Sequence, residues 1–469
     1  MAVTTISRAG LYGGAGYSGS DTVAKTSAYT VVAGDDQKTI LCSAASADYA
    51  ITLTAAATLG DGFTVTIKKS DATKFMITIN PNSTETIDGL LDLKLRNEHS
   101  EATLICDGSN WHLISHENVA IEGNCIQNPS LQVDQYSHIT RTGQGDDDEY
   151  LIDRWRIRQN SASARWTMSQ EGSGGVDAKS KWLKMLCTTA DASPGSAEEQ
   201  WLQQSMTGNN GLQFLGTDGL FENGVLSFDV IGHLDTPDAP YSLSVNLYTL
   251  DGTSRNYRTL VSITTDAVWQ RVSIVVPEDG TADIDPGVTE SFFIAVSLYA
   301  GASRDAAAGW SASSGVTANS SQNWASATDN YIGITNVKLQ PGQIATPLIP
   351  RLYEEELEIC KYYFEKRINA NAYSPLANSF NRSTTIAAGF YGFTEKRVGS
   401  TITLSGATEF GVTHGSSADT QTSGVTAEEA TARECRLKFT VGSGLTAGEG
   451  SLLANWNNTT AYITVSSEF

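Results

Sequence analysis

The chain has 469 residues and a formal charge of −21, from 31 Lys+Arg against 52 Asp+Glu; a surface of that sign repels phosphate and excludes a general nucleic-acid binder. The length asks for several cores, and 18% charged residues with 42 glycines suit a turn-rich β protein better than a helical one. No stretch reaches the roughly 18 consecutive apolar residues of a membrane span, and the amino terminus lacks the basic start and apolar run of a signal peptide.

Residues 1–20 hold Gly10, Gly13, Gly14, Gly16 and Gly19, with Tyr12 and Tyr17 between them. Such a segment builds no core of its own; it is either a flexible tail or a tether that orders on a docking partner, with the two tyrosines as anchors. Residues 21–117 read as a small β-domain of six short strands, at 26–32, 38–42, 50–54, 63–68, 75–80 and 102–106, each set off by Gly, Asp, Asn or Pro.

Residues 118–350 form the largest predicted unit. Runs at 224–231, 241–248, 269–277 and 292–299 alternate apolar with small polar residues, as strands do when one face packs on an opposing sheet. Two such sheets make a jelly-roll-like sandwich. Its last strand carries Tyr331, Ile332, Ile334 and Val337 in loose alternation; Pro341-Gly342 then turns the chain, and Pro347 and Pro350 hold it extended up to a helix.

That helix, within 351–368, places Tyr353, Leu357, Cys360 and Phe364 four, three and four residues apart along one seam. So short a helix cannot stand alone in water; it packs on its own chain's next domain or forms the neck of a trimer. Residues 369–469 read as a final β-domain, with strands at 401–404, 436–441 and 461–469. The predicted fold class is therefore all-β and modular: a small N-terminal β-domain, a jelly-roll-like sandwich, a short helical neck and a C-terminal β-domain.

Several stretches carry a family resemblance. The run Ile334-Thr335-Asn336-Val337-Lys338-Leu339-Gln340-Pro341-Gly342, then Ala345-Thr346-Pro347, then Glu356-Leu357-Glu358-Ile359-Cys360-Lys361-Tyr362-Tyr363 resembles the junction of bacteriophage tail fibres in which a carbohydrate-binding-like sandwich continues into a helix. Tyr150-Leu151-Ile152-Asp153-Arg154-Trp155 is similar to the opening of that sandwich, and Glu85 to Gly89 with Cys106 to Trp111 to small domains near the attachment end. Gly444 to Gly448 and the closing 461–469 are similar to the end of such fibres, although Lys396-Arg397-Val398-Gly399-Ser400-Thr401 lacks the proline usual there.

The resemblance implies a homotrimeric virion fibre that attaches to another virion protein through its N-terminus, is made in the host cytoplasm, and meets a host surface glycan or protein. It favours the tether at Tyr12 and Tyr17 and the trimer seam at Tyr353, Leu357, Cys360 and Phe364. A head fibre or capsid decoration with no host ligand, and a carbohydrate-binding module of a polysaccharide-targeting protein, are the alternatives.

The remaining residues point away from catalysis. The six histidines form no HExxH, no serine lies in a GxSxG elbow, and no solenoid period runs across the chain, so no enzyme and no cofactor are expected. Asp146-Asp147-Asp148-Glu149 is the one dense carboxylate run; it is a solvated loop or a calcium site of hard oxygen ligands. Seven of the nine tryptophans fall in the sandwich, and Trp310 and Trp324, in Gly/Ser/Ala-rich sequence, are with Asn323 the candidates for stacking on a sugar. The six cysteines show no CxxC and are expected to be buried thiols.

Overall fold

The computed structural model describes residues 21–469 except 74, 96–97, 118–122, 137–139, 145–148, 217–218, 236–238, 369–370 and 416–417. The chain is all-β and modular, with several β-sheet modules and one helix longer than four residues among the described residues, Tyr353–Lys361. It divides into two compact units, one running to Gly123 with Pro341–Gln343, the other spanning Asn124–Gln340 and Ile344–Phe469.

The first unit has nine described strands rather than the six expected. Thr22–Lys25, Lys38–Cys42 and Thr64–Lys69 are parallel neighbours in one sheet, while Tyr29–Thr30, Tyr49–Thr52 and Ile77–Asn80 are parallel neighbours in a second. The chain thus winds from sheet to sheet, before Leu93–Leu95, Glu101–Cys106 and Trp111–Glu117 close it with antiparallel pairs. The turns of this coil differ in length, so no period shows in the sequence. Val65, Ile67, Ile77, Ile79, Leu104 and Trp111 fill the space between the sheets. Asp107 closes the turn before Trp111 by accepting from the Ser109 and Asn110 amides, both at 2.7 Å, which gives the Asp-Gly-Ser-Asn phrase a structural role.

In the second unit a six-stranded sheet runs in the order Thr140–Gln144, Arg165–Gly174, Ser180–Thr189, Tyr331–Pro341, Gly224–His233, Gln270–Val276. A seven-stranded sheet runs Glu149–Ile152, Trp155–Asn160, Glu199–Thr207, Glu290–Ala300, Tyr241–Thr249, Arg255–Ile263, Gly309–Ser311. Between them lies one continuous core that includes Trp155, Trp166, Met185, Leu202, Phe228, Leu243, Ile294, Ile334 and Leu339. The loose alternation after Tyr331 has a local cause. Asn336 sits at φ 54°, a left-handed conformation that asparagine tolerates, and its amide group binds Asp229 (2.8 Å) and Ser180 (2.6 Å). The inward parity therefore passes from Ile332 and Ile334 to Val337 and Leu339.

The C-terminal part contains a closed barrel of Pro375–Asn381, Ile386–Gly392, Glu434–Val441, Ala418–Glu428, Phe410–His414 and Gly450–Asn455. A three-stranded sheet of Phe364–Ile368, Tyr462–Ser466 and Thr401–Leu404 shares its core. All six cysteines are buried and unpaired.

Candidate functional site

The structure gives the predicted sugar-stacking residues other work. Trp324 is fully buried, edge-on to Tyr241 at 5.9 Å, because its backbone N–H bonds the Leu298 carbonyl and draws the loop down onto the sandwich. Trp310 packs between Phe221 and Tyr257, and its indole N–H donates to the Pro277 carbonyl at 2.8 Å. Asn323 donates to the Asp191 carbonyl and accepts from the Ala325 amide, which fixes its loop. Small residues around a tryptophan do not say which side of it is covered.

The helical seam is shorter than its spacing predicts. The helix ends at Lys361, and Phe364 opens a strand paired with Ser466. Cys360 is fully buried, and Phe364 is stacked on Tyr136 at 3.9 Å within the same chain; Leu357 is half-buried, and Tyr353 is exposed. The helix is anchored through Glu356, which accepts from the Asn128 amide (2.5 Å) and from Arg351 (2.8 Å). Asp146, Asp147 and Asp148, and Tyr12 and Tyr17, lie outside the described residues, while Glu149 begins a strand of the seven-stranded sheet. Among the described residues no group of three or more His, Cys, Asp or Glu is placed to hold a metal ion.

A second group of aromatic and polar residues lies on the other face of the seven-stranded sheet, where Trp201, Tyr248 and Glu290 are partly exposed and Gln203, Ser205, Arg156 and Phe293 are buried. In Glu199–Thr207, Leu202 and Met206 enter the core, so period two sends Trp201, Gln203 and Ser205 the other way. Beside them Phe293, Ala295, Tyr248, Leu250 and Val316 join Trp201 in a second, separate apolar cluster. Tyr248 and Phe293 stack in parallel at 5.0 Å.

A polar network borders this aromatic patch. The Trp201 indole N–H donates to Gln203 Oε1 at 2.8 Å. Gln203 Nε2 donates to Ser205 Oγ (2.8 Å) and Glu290 Oε1 (3.1 Å). Arg156 Nη2 reaches the same two oxygens at 2.9 and 3.1 Å, and Ser205 Oγ donates to Glu290 Oε1 at 2.5 Å. Flat rings beside charge-assisted, orientation-specific hydrogen bonds can hold a ligand with both an apolar face and hydroxyl edges.

A strap at residues 311–321 covers the rest of this face. Buried Arg258 donates to the Gly315 and Ser313 carbonyls, both at 2.7 Å, and Glu199 accepts from the Val316 amide at 2.6 Å. Thr317 bonds Ser297 at 2.6 Å, and the Ala318 amide bonds Ser244 at 2.8 Å. Gly315 is required here, since a Cβ would lie 1.8 Å from the Arg304 carbonyl.

Burial pushes the Glu199 carboxyl up to about 7, against the opposing pull of the Val316 amide and of Arg304 and Arg258. The folded state therefore binds the proton more tightly than the unfolded chain. Its contribution is complete below the ordinary glutamate range and is lost as pH rises through about 7. The melting temperature of the chain is expected to fall between pH 5 and pH 8, by an effect of roughly 2–3 kcal/mol at this site. Glu199→Gln, permanently neutral, should flatten part of that fall when both proteins are scanned by calorimetry. A residual slope is expected from Asp153, which burial also raises to about 7.

No family model and no curated protein matches the chain. Among solved structures it is similar to a CBM4 module at 14% identity, over 46% of this chain and 99% of that one, with a TM-score of 0.24. It is also similar to the CBM22-1 xylan-binding domain of Paenibacillus barcinonensis Xyn10C, at 8% identity over 49% and 100%, TM-score 0.24. The enzymatically active domain of bacteriophage CBA120 tailspike protein 4 matches at 9% identity over 68% and 38%, TM-score 0.26. At these scores the likeness carries no argument.

Proposed function

We propose that this chain is a non-enzymatic glycan-binding protein whose sandwich takes its ligand on the outward face of the seven-stranded sheet. The observation that supports this reading is the apolar patch of Trp201, Tyr248 and Phe293 bordered by the Gln203, Ser205, Glu290 and Arg156 network. Aromatic rings offer their faces to the C–H faces of pyranoses, and the carboxylate and amide groups fix hydroxyl orientation. In this reading the protein is a virion fibre that recognises a host surface glycan, on the strength of the Ile334 to Tyr363 resemblance. A homotrimer, present in several copies per particle, would raise weak single-site affinity through avidity.

The test is binding of the full chain to a printed panel of soluble bacterial-surface and plant polysaccharides, with and without Trp201→Ala. Loss of a central aromatic contact is expected to weaken binding roughly thirty-fold while leaving the fold intact. A chain that binds no member of the panel would favour a capsid decoration without a host ligand.

A further inference from the structure

The C-terminal part of the chain borders the Glu290 end of this face. Arg156, whose guanidinium orients Glu290, also donates through Nη1 to the Phe469 carbonyl at 2.8 Å. In the turn just before that strand, Arg154 binds Glu468 and, at 2.6 Å, the Ser205 carbonyl. Arg397, from the C-terminal part, binds the Ser467 and Glu468 carbonyls, lies 4.2 Å from the Phe469 ring, and donates to the Val288 carbonyl two residues before Glu290. The segment 467–469 is thus tied to Arg156 directly and to Ser205 through Arg154.

Glu290 is itself divided. Its Oε1 takes three donors, from Arg156, Gln203 and Ser205, whereas among the described residues nothing bonds Oε2, and the side chain is 25% exposed. A carboxylate held by one oxygen and open at the other is a charge-assisted acceptor for a ligand O–H. Resting on the proposed glycan reading, the geometry points to Glu290 as the residue that reads a sugar hydroxyl, and to Arg156 as the positioning residue that couples this reading to docking of segment 467–469. The ligand class is a polyol edge rather than an anion, because an anionic group beside Glu290 Oε2 would be repelled. Coupling is reciprocal by linkage: bound ligand must also stabilise the docked segment.

The experiment uses the full chain and the polysaccharide panel described above. Glu290→Gln, nearly isosteric, keeps an acceptor oxygen for Arg156, Gln203 and Ser205 and should weaken binding about tenfold. Hydrogen exchange at 462–469 should slow in the presence of the bound polysaccharide, a response that a merely structural Arg156 would not give. If Trp201→Ala abolishes binding but Glu290→Gln binds as the wild type does, or if exchange at 462–469 is indifferent to ligand, the inference is overturned and the binding face stands. If no polysaccharide binds, or Trp201→Ala binds unchanged, the binding face itself is wrong and the inference goes with it.

Discussion

Arg154→Leu is expected to destabilise the second unit by about 3–5 kcal/mol, lowering its melting temperature by roughly ten degrees. The guanidinium is inaccessible to solvent. It donates to Gln127 Oε1 (2.6 Å), the Ser205 carbonyl (2.6 Å) and Glu468, and lies 3.5 Å from the Tyr363 ring. Leucine would leave Glu468, itself only 5% exposed, and the Gln127 oxygen without these donors in a dry site. The cost comes from the stranded carboxylate more than from any large net gain of the intact pair, since burying two charges consumes most of their attraction. The double variant Arg154→Leu with Glu468→Leu should therefore recover much of the loss. Denaturant titration of the wild type, both single variants and the double variant measures the coupling. A single variant within 1 kcal/mol of wild type would show that the pair does not hold this junction.

Trp324→Ala should be comparably severe, at about 3–5 kcal/mol, through lost burial and the cavity left behind. The ring lies over Gly232, where a Cβ would come within 2.7 Å of the indole, and meets Tyr241 edge-on. Its indole nitrogen is buried with no hydrogen-bond partner among the described residues, so an apolar ring of similar shape loses little there. Trp324→Phe is expected to cost under about 1.5 kcal/mol. Thermal melts of the two variants separate packing from recognition. An alanine variant of wild-type stability that had lost polysaccharide binding would instead return Trp324 to the ligand face.

The two expectations differ from a reading of the sequence alone for an instructive reason. Alternation in 241–248 and 292–299 predicts strands with two unlike faces, and the same period in Trp201-Leu202-Gln203-Gln204-Ser205-Met206 separates Leu202 and Met206 from Trp201 and Ser205. That alternation places Trp201 opposite the core, information that the small residues around Trp310 and Trp324 do not carry. At 353–364 the spacing is helical throughout, yet the chain leaves the helix after Lys361 because Phe364 gains a strand partner at Ser466.

The sequence by itself determined the all-β class, several strands of the sandwich and the short helix, because these depend on patterns that repeat over two to four neighbouring residues. Only tertiary structure decided how the far face of the seven-stranded sheet is covered, which tryptophan is core, and where Glu290 points. Those outcomes rest on partners far apart in the chain, such as Glu199 with Val316 and Arg154 with Glu468, separated by 117 and 314 residues. No local periodicity encodes a contact at that distance. It forms because folded sheets bring together polar groups that cannot be buried without one another.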